Sequence, residues 1–499
     1  MLKKFDLNSS TRRFVSFLVI VLLAVSCKNH KIETVAEKPE FTQPVDRDLD
    51  AIDADGKLVV LMGNSSSSYF IYRGRPMGFE YEMLSRFARD HNLDLEVIIP
   101  DDLNEVFELL NQGRGDLVAA GLTVTKERSR QVAFTNYLIT TRQVLVQRKP
   151  DDFNKMSWNN IRKSLIRNQL DLIGKKVYVR KKSSYYSRLV SLSNEIGGDI
   201  EIETVRGDVE TEELIRKVAM GEIEYTIADE HIAKLNASYY PILDVATPIS
   251  FPQQLAWAVR SNSPALQTAL NKWIESNRKS VAFNHLVMKY YKNRKGFIQR
   301  SSSGFHSQYG GRISIYDEYF KKHATASGWD WRLIASLAYQ ESKFNNELES
   351  WAGARGLMQM MPGTAKRFGG DSIMSAEKSI ITGLKFVNYL NNFWEKEIPD
   401  SAARVPFVLA SYNAGLGHVV DATRLAEKFG NPKDDWQYVS YFLKNKNHKR
   451  FYSDPVVKHG YCRGTEPVNY VKKITGRYEQ YKKLIPLALK ENSELIAVK

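Results

Sequence analysis

A glutamate at the end of a helical apolar pattern is the residue in this sequence best placed to do chemistry. Between Trp331 and Glu341 the residues Leu333, Ile334, Leu337 and Ala338 recur at helical spacing, and Asp330 is placed to cap the start. Glu341 is therefore expected at the C-terminal end of a helix whose other face is buried. A carboxyl group walled by apolar side chains is costly to ionise and stays protonated near neutral pH. Such a group can give a proton to a leaving oxygen and later take one back. Met358, Met360 and Tyr412 are candidates for the wall, with core packing the expected role of the two methionines. Four short motifs follow one another here: Glu341-Ser342-Lys343-Phe344, Gly356-Leu357-Met358-Gln359-Met360-Met361-Pro362-Gly363-Thr364-Ala365, Ala410-Ser411-Tyr412-Asn413-Ala414-Gly415, and Glu466-Pro467-Val468-Asn469-Tyr470-Val471.

In order and content these four motifs resemble the catalytic domain of the soluble-type lytic transglycosylases, which is lysozyme-like. The resemblance implies cleavage of the glycan strands of peptidoglycan, with Glu341 as acid and base and with no metal or cofactor. Most glycosidases pair the acid with a second carboxylate about 5–9.5 Å away. The resemblance implies that this family dispenses with it. The substrate's N-acetyl group would stabilise the oxocarbenium-like centre, and Glu341 would take the proton of the 6-hydroxyl as a 1,6-anhydro ring closes. Carried over by position, Gln359, Tyr412, Asn413 and Tyr470 would bind or orient the sugar, and Ser342 would support Glu341. Core packing is the alternative for Tyr412 and Tyr470. Glu466 would either touch substrate or hold the groove in shape, and Pro467 departs from the family's usual Glu-Thr-x-x-Tyr-Val. Glu349, Asp317 and Glu318 are expected to be solvated surface charges. A hydrolytic lysozyme, which admits water instead of closing the ring, is the nearest rival. A solute-binding receptor with a degenerate catalytic domain is a rival of another class.

A second constellation lies upstream. Gly121-Leu122-Thr123-Val124-Thr125-Lys126-Glu127-Arg128, followed by Val132-Ala133-Phe134-Thr135, resembles the family 3 solute-binding proteins of bacterial amino-acid uptake. There a Thr and an Arg five residues apart grip the ligand's α-carboxylate, which an Arg fork suits through two parallel charge-assisted hydrogen bonds. By resemblance Thr123 and Arg128 take that role, and Asp229 meets the ammonium group. Surface pairing of Arg128 with a neighbouring acid is the alternative. Gly78-Phe79-Glu80 stands where the family more often has Gly-Phe-Asp. An amino-acid or muropeptide ligand would then regulate access to the Glu341 groove.

The elements that must position these residues fall into two styles. From Lys57 onward short apolar strands (KLVVLM, LEVII, DLVAAG) alternate with helical patterns such as FEYEMLSRFARDH, and the pattern restarts at Lys176. Alternation of this kind makes a parallel sheet in an α/β domain. Two such lobes joined through 138–148 and 247–260 suggest a clamshell with its ligand between the lobes. After a Ser- and Gly-rich stretch the patterns are helical throughout, with helices expected over 313–327, 331–341, 375–394, 404–413 and 419–429. The expected fold is multidomain: a bilobed α/β domain like the periplasmic binding proteins, then a mostly α lysozyme-like domain. The boundaries read as a signal peptide over 1–27, a tether over 28–54, the ligand domain over 55–295, a linker over 296–312, the catalytic domain over 313–485 and a tail over 486–499.

The ends and the bulk numbers add location. Lys3, Lys4, Arg12 and Arg13 against Asp6 precede an apolar run from Phe14 to Val25. That run is shorter than the roughly 20 residues a spanning helix needs and fits a secretory signal. It ends in Ala24-Val25-Ser26-Cys27, which resembles the lipobox of bacterial lipoproteins. Cys27 would then carry the lipid, anchoring the chain to the periplasmic face of the outer membrane, and more than one acyl chain makes such anchoring stable. With Cys462 the only other cysteine, an intramolecular disulfide is excluded once Cys27 is acylated. The 499 residues carry a net charge of +14, of which the first 26 contribute +3, leaving about +11. A basic chain favours polyanions or anionic membranes, but zinc-finger spacing, RNP-like motifs and dense Lys/Arg blocks are missing, and no nucleic-acid partner is expected. Hydrophobic content of 43% and charged content of 26% are those of folded domains.

Overall fold

Residues 42–371, 374–485 and 487 are described by the computed structural model. The apolar run Phe14 to Val25 and Cys27 lie outside them. Among the described residues no helix is long and apolar enough to cross a membrane.

In the first sheet Lys57–Met62 lies in parallel between Asp94–Ile98 and the central strand Leu117–Ala119, and the sheet is completed by the antiparallel strands Ala258–Val259 and Ala133–Phe134. The helix Phe79–Asp90 covers it with Phe79, Met83, Leu84, Phe87 and Ala88, the stripe its spacing dictates. The second lobe repeats the plan in the order Glu201–Val205, Lys176–Arg180, Tyr225–Asp229, Gln143–Arg148 and Leu243–Asp244. The chain passes between lobes twice, and the two passages pair as a small antiparallel ribbon, Ile139–Thr141 with Gln253–Leu255. The bilobed α/β plan is the one expected.

The stretch 296–312, read from its Ser and Gly as a linker, is folded instead. Arg294–Ser302 is a helix with Phe297 and Ser301 buried. Beyond it His306 stacks on Phe70 at 4.2 Å, Ser307 N–H donates to Ile71 O at 2.9 Å, and Tyr309 Oη donates to Asn236 Oδ1 at 3.1 Å. The aromatic rings scattered among the small residues give this segment apolar area to bury, which a free linker lacks. Similarly, Leu49–Asp55, inside the expected tether, is a helix capped by Asp48.

The C-terminal region is helical. Trp331–Ser342 runs through its centre with nine of its residues buried, starting from Asp330, whose side chain accepts the Arg332 N–H. Asp317–Ala326 and Thr465–Leu484 pack against it, and Ala376–Glu395 and Ser401–Ala414 join the bundle through those two helices. Asp317 corrects the expectation of a solvated charge: it is 1% exposed, and its carboxylate accepts from Ile313 N–H, Ser314 N–H and the Ser314 hydroxyl. Those bonds satisfy amides ahead of the helix start, so the residue acts as an N-terminal cap from inside its own first turn. Glu318 is exposed as expected, and Glu349 pairs with Arg355 at 2.8 Å on the surface.

One hydrophobic core runs through both regions. At their junction the hairpin Phe70–Tyr72 and Arg75–Met77 presents Gly74 to the central helix. Tyr481 Oη donates to Gly74 O at 2.7 Å, and Tyr69 Oη donates to Gln480 Oε1 at 2.5 Å. Gly74 has φ +72°, and a Cβ there would lie 2.7 Å from Phe344 Cε2 and 2.8 Å from Tyr481 Oη. Only glycine fits this approach without strain.

Candidate active site

Glu341 stands at the second-last position of the central helix, where intrahelical bonding ends and the chain reverses through two left-handed residues, Lys343 (φ 54°) and Phe344 (φ 64°). The reversal is held by Ser342. Its buried hydroxyl reaches Leu357 O at 2.9 Å and Ala338 O at 3.2 Å, tying the helix end to the Gly356–Met361 loop. Ser342 thus ties down the helix end that carries Glu341 and makes no bond to its carboxylate. Across from it runs the long helix Thr465–Leu484. This helix is keyed to the central one by Ser336 Oγ donating to Ile474 O at 2.9 Å and by Arg477, which reaches Ser336 O at 3.2 Å and Gln340 Oε1 at 3.1 Å. The packing sets Tyr470 so that its hydroxyl donates to Glu341 Oε1.

Burial pushes the Glu341 carboxyl up to about 7, against the opposing effects of the Tyr470 hydroxyl and the Lys343 charge. The charge acting on it is cationic, with no second carboxylate contributing among the described residues. Lys343 itself is lowered to about 8, first by desolvation and then by repulsion from Arg477 and Lys473. Tyr412 Oη lies 2.7 Å from Met358 O and 3.2 Å from Met360 Sδ, and proximity to Glu341 adds to the rise of its own pKa caused by burial. Met358 and Met360 are 0% and 3% exposed and belong to the core. Gln359 occupies a left-handed position (φ 44°), and its amide Nε2 donates to Leu348 O at 2.8 Å and Gly356 O at 2.9 Å. Asn413 and Glu466 are exposed. Glu466 lies in the first turn of the long helix, where a carboxylate suits the helix dipole. Pro467 is tolerated there because first-turn amides have no intrahelical acceptor. That helix start is pressed onto Trp436–Asn445 so closely that a Cβ on Gly464 would lie 1.5 Å from Leu443 O.

Arg128 and Asp229 line one cavity of about 60 Å³ between the two lobes of the first domain, and Thr123 stands behind two of its lining residues, Arg128 and Ser184. Arg128 Nη1 donates to Thr123 O at 3.1 Å, and the Ser184 hydroxyl of the other lobe reaches Thr123 Oγ1 at 3.3 Å. Asp229 is 3% exposed, with Oδ2 accepting from Tyr185 Oη at 3.2 Å. Burial raises it to about 7, opposed by Tyr185 and Arg128. Arg128 is lowered to about 10 by burial and then by the facing Arg180. Glu80, in place of an aspartate, accepts from the Ser68 hydroxyl and from Gly121 N–H at 3.0 Å. Arg180, Glu210 and Glu212 also line this cavity. Arg180 ends a strand while Glu210 and Glu212 stand at the start of the helix Thr211–Met220, and they carry no motif, so nothing local in the sequence marked them. Among the described residues no cluster of three or more His, Cys, Asp or Glu is suited to a metal ion. Cys462 is a buried thiol raised by desolvation.

Residues 58–293 match the bacterial extracellular solute-binding proteins, family 3, and residues 318–434 match the transglycosylase SLT domain. A protein of Desulfosudis oleivorans named membrane-bound lytic murein transglycosylase F is 34% identical over 424 residues, covering 85% of this chain and 89% of that one. One of the same name from Pseudomonas fluorescens is 33% identical over 437 residues, covering 86% of each. Among solved structures, an ancestral arginine-binding protein bound to arginine is 21% identical, with a TM-score of 0.40, covering 47% of this chain and 98% of that one. With relatives more than 30% identical and matched over most of their own length, the chain belongs to the membrane-bound lytic murein transglycosylase F family.

Proposed function

We propose that this enzyme, a lytic transglycosylase, cleaves the β-1,4 bond between N-acetylmuramic acid and N-acetylglucosamine in peptidoglycan and leaves 1,6-anhydro ends. One observation carries the proposal: the Glu341 carboxyl, raised by burial to about 7, stands at a helix end with the Tyr470 hydroxyl on one oxygen. A group of that pKa is half protonated at neutrality and serves as acid in one step and base in the next. Protonated Glu341 gives its proton to the glycosidic oxygen as the C1–O bond breaks, and the substrate's N-acetyl group shares the positive charge at C1. The carboxylate then takes the 6-hydroxyl proton as O6 bonds to C1, which restores the acid. Tyr470 holds the carboxylate in place. Tyr412, Gln359 and Asn413 bind or orient the sugar, Ser342 fixes the helix end, and Glu466 shapes the groove or meets the glycan. Among the described residues no second carboxylate acts on Glu341, so no separate base is set beside it for water, which favours ring closure by the substrate's own 6-hydroxyl over hydrolysis.

The domain spanning about 55–295 acts as a sensor: an amino acid or muropeptide bound at Thr123, Arg128 and Asp229 changes the activity of the catalytic domain, about 313–485. The contact of Gly74 with Phe344 and Tyr481 supports a path between them. Acylated Cys27 anchors the protein to the periplasmic face of the outer membrane. Digestion of purified sacculi followed by mass spectrometry tests the reaction. Anhydro products, lighter than hydrolysis products by one water, are expected; reducing ends throughout would make the enzyme a hydrolase.

A further inference from the structure

More carboxyl groups than cations line the sensor cleft. Four carboxyl groups line the cavity, Glu80, Glu210, Glu212 and Asp229, against two cations, Arg128 and Arg180. Two of the four keep an oxygen buried without a donor. Asp229 Oδ1 and Glu212 Oε2 accept no hydrogen bond among the described residues, although the two side chains belong to residues only 3% and 5% exposed. Glu212 reaches across the cleft, its Oε1 accepting from Ser66 N–H at 2.9 Å and Ser66 Oγ at 3.0 Å, which leaves Oε2 as the unmatched atom. Glu210 stands 3.6 Å from Arg180. Burial is the main cause raising Glu80 to about 7 and Glu210 to about 8, and it moves Glu212 the same way. Buried carboxylates short of donors and cations are costly and call for a cationic partner.

A neutral amino acid brings one charge of each sign and leaves this imbalance unchanged, and an acidic one deepens it. Building on the sensor role proposed above, we infer that the cleft selects an α-amino acid carrying a second cationic group. Its carboxylate lies between Arg128 and Arg180, its α-ammonium on Asp229 and its distal cation on Glu212 with Glu210. The same chemistry occurs in a free diamino acid and in a diamino-acid residue of a short peptide. The cavity is small, about 60 Å³, which favours the free amino acid over a longer peptide.

Calorimetry on the full chain separates these cases. The probes are L-lysine, L-norleucine (the same chain without the ammonium), L-glutamate, and two tripeptides ending in lysine or norleucine. Lysine is expected to bind at least tenfold tighter than norleucine, with glutamate weakest. Glu212→Gln, which keeps an acceptor for Ser66, is expected to bring lysine down to the norleucine level, and Asp229→Asn to weaken both. If norleucine or glutamate binds as tightly as lysine, the cationic subsite is wrong while the sensor stands. If only peptides bind, preference for the lysine peptide supports the subsite and equal affinity overturns it. If none binds, both the subsite and the sensor fall.

Discussion

Replacing Tyr470 by phenylalanine removes one hydroxyl from the Glu341 carboxylate and little else. That hydroxyl donates to Oε1 and favours the ionised form. A hydrogen bond to a charged group contributes about 1.5–3 kcal/mol, and one pKa unit corresponds to about 1.36 kcal/mol. Losing the bond therefore moves the carboxyl upward by roughly 1–2 units, from about 7 in the native protein to roughly 8–9. The sign is fixed, because a donor to the carboxylate can only lower the pKa. Cleavage of a soluble glycan fragment, followed as kcat/KM from pH 5 to 10, reports the free enzyme's acid. In wild type the rate should fall above about pH 7; in Tyr470→Phe the fall should begin roughly 1–2 units higher, with a lower plateau because the carboxylate is no longer oriented. An unmoved alkaline limb, or one displaced to lower pH, would refute the assignment of that limb to Glu341 under Tyr470.

The same carboxyl makes a stability prediction. Its pKa is raised in the folded state from 4.5 to about 7, so wild type loses stability as pH rises through that window. The upper bound is 2.5 units at about 1.36 kcal/mol each, or about 3 kcal/mol. Glu341→Gln has no such dependence and should gain on wild type between pH 4 and pH 8 in urea unfolding; parallel stability curves would show that the carboxyl is not held in a costly environment. Gly74→Ala should destabilise by roughly 1–3 kcal/mol and depress kcat, since its Cβ meets Phe344, three residues after Glu341. An unchanged melting temperature would contradict the close approach. Asp421 and Lys446 are both fully buried and paired at 2.6 Å. Asp421→Ala strands the lysine and should cost about 3–5 kcal/mol, while the double replacement with Lys446→Met should recover much of it; a loss in the double variant equal to the single one would show that the pair's charge is not what matters.

Local patterns carried much of this molecule. The spacing of Leu333, Ile334, Leu337 and Ala338 put Glu341 at the end of a buried helix because helical periodicity is a short-range property. Strand and helix alternation likewise gave the two lobes. What stayed hidden depended on partners far along the chain. Ser and Gly between 296 and 312 read as a linker because nothing nearby showed that Phe70, Ile71 and Asn236 would receive His306, Ser307 and Tyr309. Asp317 read as solvated because its charge was weighed without the amides of Ile313 and Ser314, which its carboxylate caps. Arg180 and Glu212 reach the cleft from separate elements of the second lobe, a meeting that only the tertiary fold produces.

Glu341→Gln on purified sacculi tests the centre of this mechanism most directly. The amide keeps the shape of the side chain and cannot supply the proton, so the variant should stay folded by circular dichroism and release no soluble muropeptides. Solubilisation at near wild-type rate by a folded Glu341→Gln protein would contradict the role given to this residue.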